Sequence, residues 1–201
     1  MPNDIQRQIS SAMMLVDKHY AGLVADSMTD VESYPTSFLK HYQIYKIENS
    51  NPSKPIVFYV GFAPNKPIYL LTDSSENYAK LIQADGSVVD KSNTAIDYVT
   101  AYLEVTRSMS RLFYIVRSSQ DINFRPNLND KEEKLKAAFL EKYQSIVAPP
   151  TAEQTNGYYV VTLYSIEEQS LKCYSITVNQ QGNLKIEITT LKDGLPLVYG
   201  L

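Results

Sequence analysis

The chain has 201 residues, 44% of them hydrophobic and 20% charged, with a net charge of −3 and a pI near 5.4. These values describe a folded polypeptide long enough to bury a sizeable core, and they exclude the strong basic excess with which broad nucleic-acid binders neutralise phosphates. A single cysteine, Cys173, rules out an internal disulfide and any paired-cysteine metal motif, and no apolar run approaches the roughly 18 residues of a membrane span.

The start, MPNDIQRQIS, lacks a basic segment followed by an apolar stretch, so a cytoplasmic location is expected. Ile5, Ile9, Ala12, Met13, Val16, Tyr20, Leu23 and Val24 then recur at helical spacing, and Asn3 with Gln6 three residues on suits a capped start. The spacing predicts one amphipathic helix of about twenty residues laid on a sheet. After a polar stretch ending at Pro35, FLKHYQIYKI, PIVFYVGF and PIYLLT read as strands, the last two joined by a Pro64-Asn65 turn. The middle one is apolar on both faces, which places it inside a sheet covered on both sides or against a second subunit.

Asp73 three before Glu76 opens a short helix that stops at Gly86, and Thr94 three before Asp97 opens a firmer one whose Ile96, Val99, Tyr102, Leu103 and Thr106 share a face. RLFYIV reads as a strand. A third firm helix begins at Asn129 with Glu132 as its capping partner, turns Leu135, Ala138, Phe139, Tyr143 and Ile146 inward, and pairs Glu132 with Lys136 on its outer face. Residues 148–157, APPTAEQTNG, read as a crossover connection. YYVVTLYSI, LKCYSITV and NLKIEITTL then form a three-stranded meander, with Leu184, Ile186 and Ile188 on a buried face. The expected fold is one α+β domain, residues 1–201, with a single mainly antiparallel sheet of about seven strands under three principal helices. Sixteen tyrosines and no tryptophan agree with a sheet-rich chain.

Four of the five arginines, Arg107, Arg111, Arg117 and Arg125, fall in TRSMSRLFYIVRSSQDINFRP. On an extended strand Arg111 and Arg117 stand roughly 20 Å apart and cannot grip one small anion together. Carboxylates at Glu104, Asp97 and Asp121 are near enough in sequence to bind these guanidiniums internally, as fasteners where helix, strand and loop meet. The functional reading of the same stretch is an anion pocket built from Arg107 or Arg111 with Arg125 and a tyrosine such as Tyr102 or Tyr114. No Walker-type loop or GxGxxG accompanies it, so no cofactor is expected. His19 and His41 lack metal-ligand spacing, so no metal site is expected, and Cys173 has no nucleophile motif around it.

Missing catalytic motifs and tyrosine-rich strands point to a non-enzymatic binding or assembly protein, with a small anionic ligand, a protein partner, or a homodimer through the two-sided sheet as its partners. The alternative is a small enzyme acting on a phosphate- or carboxylate-bearing substrate, oriented by Arg107, Arg111 or Arg125, with His41, His19 or Asp97 moving a proton.

Overall fold

The computed structural model describes residues 4–53 and 55–198. Its elements run α1 (Asp4–Met13), α2 (Lys18–Ala25), β1 (Thr29–Tyr34), β2 (Gln43–Asn49), β3 (Ile56–Phe62), β4 (Tyr69–Leu70), α3 (Ser75–Asp85), α4 (Ser92–Thr106), β5 (Phe113–Val116), α5 (Asp130–Tyr143), β6 (Thr151–Thr155), β7 (Tyr158–Glu167), β8 (Ser170–Asn179) and β9 (Leu184–Lys192). The class is α+β, but the single sheet is replaced by two antiparallel sheets, of four and five strands, with five α-helices instead of three. Contacts divide the chain into two compact units, one of residues up to Val88 with Thr100–Met109, the other of Val89–Val99 with Ser110 onward.

In the first unit the strand order is β1-β2-β3-β4. Phe58, Val60 and Phe62 of β3 meet Ile9, Met13, Ala21 and Val24 of the first two helices in one buried cluster. On the opposite face Tyr59 reaches Glu104 of α4, and a Cβ on Gly61 would stand 2.4 Å from a methyl of Leu81 on α3, so the close approach of that helix requires glycine. Both apolar faces of β3 are therefore covered within this unit, and a dimer would have to use some other surface.

The expected twenty-residue helix is two helices folded back on each other. The helical run stops at Met13, whose carbonyl accepts from Val16 N (2.9 Å) and Asp17 N (2.8 Å), and α2 restarts under the Asp17 carboxylate, which accepts from His19 N and Tyr20 N. Ser10 Oγ donates to Ala21 O across the pair. Asn3, expected as the first cap, lies outside the described residues. The first expected strand, FLKHYQIYKI, is also shortened, because the backbone N–H groups of Lys40, His41 and Tyr42 all point at the buried carboxylate of Asp85, at 2.7 to 2.8 Å, with Ser87 Oγ donating to the same group. Three successive donors converging on one acceptor bend the chain, where a strand would send them to alternate sides.

In the second unit the order is β5-β7-β8-β9, with β6 also on β7. The expected connection at 148–157 thus contains a strand, Thr151–Thr155, paired antiparallel to Tyr158–Thr162. Helix α5 opens with the expected capping box, Asn129 Oδ1 accepting from Glu132 N and Glu132 Oε2 from Asn129 N. Its buried residues Phe139 and Tyr143, with Val147 beyond its end, pack with Val116, Ile166, Leu171 and Leu195, whereas Ala138 and, in the turn after the helix, Ile146 face solvent. Glu132 pairs with Arg125 instead of Lys136, whose ammonium lies over the Phe124 ring. Ile188, expected to be buried, is half exposed on edge strand β9.

Candidate functional site

The five arginine-stretch residues separate between the two units. Arg107 and Tyr102 belong to the first; Arg111, Tyr114 and Arg125 belong to the second. Arg107, just past the end of α4, pairs with Glu104 at 3.2 Å, and the same Glu104 oxygen accepts from the Tyr59 hydroxyl at 2.9 Å. Tyr102 stacks edge-on against Tyr78 with ring centres 5.4 Å apart. Arg125 is ion-paired to Glu132, and the Tyr114 oxygen accepts from Asn123 N at 3.1 Å. Arg111 is exposed just before β5. The Arg107–Glu104 pair is one that spacing anticipates; the Arg125–Glu132 pair is not, because it depends on how the loop after β5 returns to α5.

His19 and His41 are both exposed, and among the described residues no group of three or more His, Cys, Asp or Glu is placed to hold a metal ion. Cys173 is half-buried on β8 opposite Tyr164. Burial pushes its thiol pKa up, against a hydrogen bond with Tyr164 that lowers it, so the thiolate is disfavoured at neutral pH.

A polar cluster stands on one face of β7 and β8. Glu167 takes hydrogen bonds from Lys172 and, at 3.3 Å, from the Tyr174 hydroxyl, whose pKa is pushed up to about 12 by burial and then by the Glu167 charge. Ser165 lies beside them at 0% exposure, and its hydroxyl acts on the Tyr174 phenol so as to oppose part of the rise in its pKa.

An open groove lies elsewhere, in the first unit. One face of α1, with Arg7, Gln8, Ser11 and Ala12, lies across from the end of β3 and its following turn, with Phe62, Pro64, Asn65 and Lys66. Between them is an open groove of about 500 Å³. The spacing 7, 8, 11 and 12 puts the four α1 side chains on one helical face, while Asn65 in the left-handed region at φ 60° turns the chain so that Lys66 follows the groove's edge. Phe62, nearly buried, supplies an apolar floor.

The groove's charge is positive but partly engaged. The Lys66 ammonium sits 5.3 Å from the centre of the Tyr42 ring, and among the described residues it forms no ion pair. Arg7 touches Asp4 at 3.6 Å with both side chains largely exposed, and the other Asp4 oxygen accepts from Gln8 Nε2 at 2.8 Å. Such an exposed pair is worth well under about 1 kcal/mol, so the guanidinium is held loosely. The arrangement offers a guanidinium, an ammonium, two side-chain amides and a hydroxyl over an aromatic floor. No family model matches the chain, and no curated protein or solved structure matches it either.

Sequence reading overlooked this groove because its cations, Arg7 and Lys66, are far apart in the chain and neither stands in a cluster. The signals present were the one arginine outside the dense stretch and a lysine held in a Pro-Asn-Lys-Pro turn. Neither indicates that the other is near.

Proposed function

We propose that this protein is a non-enzymatic binding protein that receives an anionic group, a phosphate or carboxylate on a ligand or partner, in the groove between α1 and the β3–β4 turn. The observation that carries the reading is the pairing of Lys66, which forms no ion pair among the described residues, with the loosely held Arg7 across one groove lined by amides and a hydroxyl. Arginine's fork suits two oxygens of such a group at once, lysine adds a point charge, and Gln8, Asn65 and Ser11 supply neutral donors. The Phe62 floor favours a ligand with an apolar part beside its charge. The arginines of the central stretch contribute less to this reading, since Arg107 and Arg125 already hold carboxylates of their own unit.

Inorganic phosphate is a sufficient probe. Titration followed by backbone amide shifts is expected to perturb residues 7–12 and 62–66 with millimolar affinity, and the Arg7→Ala, Lys66→Ala double variant is expected to weaken it about tenfold. Asp4→Asn removes the carboxylate that competes for Arg7 and is expected to tighten phosphate binding about threefold. Shifts confined to other parts of the chain, or an affinity indifferent to all three substitutions, would remove the basis for this function.

A further inference from the structure

The turn between α1 and α2 exposes three consecutive large apolar residues: Met14 at 50%, Leu15 at 91% and Val16 at 54% of their full accessible surface. Their neighbour Met13 is at 0%, in the core cluster with Ile9, Ala21 and Val24. The turn is not a frayed end. Both legs are buried on their inner faces, the Ser10 hydroxyl ties one leg to the other, Asp17 caps the second, and Met14, Val16 and Asp17 all return backbone hydrogen bonds to α1. Methionine and leucine are good helix formers, so continuing the helix through them was open to the chain on propensity. A hairpin that instead holds an apolar triplet out in water needs an explanation outside the fold, because runs of exposed apolar residues mark contact sites.

The charges around the triplet indicate what it contacts. Lys18 and His19 are exposed immediately behind it, and the Asp17 carboxylate is engaged with two backbone N–H groups. Arg7 stands six positions back from Met13, the last residue of α1, about 9 Å at helical rise, on the face of α1 that lines the cationic groove with Lys66. An apolar point with cations set back by that distance matches a bilayer surface, where wedge residues enter about 5–10 Å and basic groups meet the phosphates. A protein partner fits less well. Ordinary interfaces bury about 800 Å² on each side, whereas the next exposed large apolar residue along this hairpin, Met28, lies beyond the far end of α2. A fluid surface can close around a point.

We propose that the α1–α2 hairpin is an anchor for anionic phospholipid bilayers, with Met14, Leu15 and Val16 in the boundary between headgroups and acyl chains and Lys18, Arg7 and Lys66 against the lipid phosphates. The roles given to Arg7 and Lys66 rest on the groove reading above; those of the apolar triplet and Lys18 do not. The net charge of −3 repels the rest of the chain from such a surface, so attachment is tip-first.

The chain has no tryptophan, so Leu15→Trp introduces a single reporter at a site with ample room for it. Its emission is expected to shift to the blue with vesicles of phosphatidylcholine doped with phosphatidylserine, and much less with phosphatidylcholine alone. In flotation with the doped vesicles, Leu15→Asp is expected to lower partitioning at least tenfold and Lys18→Glu about threefold, with thermal melting unchanged. Unshifted emission, or flotation equal for wild type and Leu15→Asp, overturns the anchor; so does a blue shift that grows with protein concentration without vesicles, which would make a second copy the occupant. Inorganic phosphate separates the two readings. Phosphate binding without vesicle binding leaves the groove and sinks the anchor, whereas vesicle binding that depends on Leu15 but not on Arg7 or Lys66, with no phosphate binding, keeps the apolar anchor and sinks the groove.

Discussion

Asp85→Ala is expected to cost about 3–5 kcal/mol of stability, which for a chain of this length is a fall of about 10 °C in melting temperature. Asp85 is 3% exposed at the last residue of α3, a position where the helix dipole alone disfavours a carboxylate. Burial raises its pKa, but the Ser87 hydroxyl and the backbone N–H groups of Lys40, Tyr42 and His41 together outweigh that and hold it below the ordinary value. Alanine would leave those donors without an acceptor and free the segment that leads into β2. Asparagine keeps one acceptor oxygen without the charge, and is expected to lose about 2 kcal/mol. The pH dependence follows from the direction of the shift. A depressed folded pKa contributes stability that is complete above the unfolded value of about 3.9 and disappears as pH falls through the folded value. The gap between wild type and Asp85→Asn in urea unfolding should therefore be full at neutral pH and shrink on acidification below about pH 4. A gap that is the same at both pH values, or an alanine variant within about 1 kcal/mol of wild type, would show that the carboxylate does not hold this loop.

The same contact explains one limit of the sequence. His41 and Leu39 alternate with Gln43 and Tyr45 as a strand should, and nothing in that alternation discloses an acceptor 43 to 45 positions away that draws Lys40, His41 and Tyr42 out of line. Features with local chemistry were readable: the Asn129–Glu132 capping box, Gly86 in the left-handed region at φ 70°, the Asn65 turn and the β7–β8–β9 meander. Features set by distant partners were not. The split of the first helix is opposed by the propensities of Met14 and Leu15 and is secured by Asp17 and by the Ser10 bond to Ala21. Strands β1 and β6 are sheet edges with few apolar residues, Val31 and Tyr34 on β1, which do not alternate, and Ala152 alone on β6, so no period-two signal exists to find. Seven strands in one sheet became nine in two because alternation identifies a strand but not its neighbour. For the candidate site, density along the chain was a poor guide: Arg107 and Arg125 found separate carboxylates, while Arg7 and Lys66 were brought to one groove by the packing of α1 beside β3.

Whether arginine works as a fastener can be read at Glu104, where Ala is expected to cost about 3 kcal/mol. One Glu104 oxygen serves both the Tyr59 hydroxyl and the Arg107 guanidinium, and Tyr59 is 3% exposed, so most of the ring lies away from water. The unsatisfied phenol accounts for about 2 kcal/mol of the loss and the broken ion pair, whose side chains are each 23% exposed, for about 1. Gln at the same position keeps an acceptor for Tyr59 and should lose only about 1 kcal/mol, so the difference between the two variants isolates the hydrogen bond from the charge. A cycle of Tyr59→Phe with Glu104→Ala should give a coupling of about 2 kcal/mol, the share assigned to the phenol. Alkaline titration supplies a second readout. Burial, then the charge and hydrogen bond of Glu104, raise the Tyr59 pKa far above its ordinary value, against an opposing effect of Arg107. Above about pH 10 the unfolded phenol ionises while the folded one does not, so stability falls as pH rises, and Tyr59→Phe should make that limb shallower, with Tyr42 and Tyr174, whose pKa values are also raised, supplying part of the remainder. If Glu104→Ala instead stays within about 1 kcal/mol of wild type and Tyr59→Phe leaves the alkaline limb unchanged, Glu104 does not fasten Arg107 and Tyr59 in this unit.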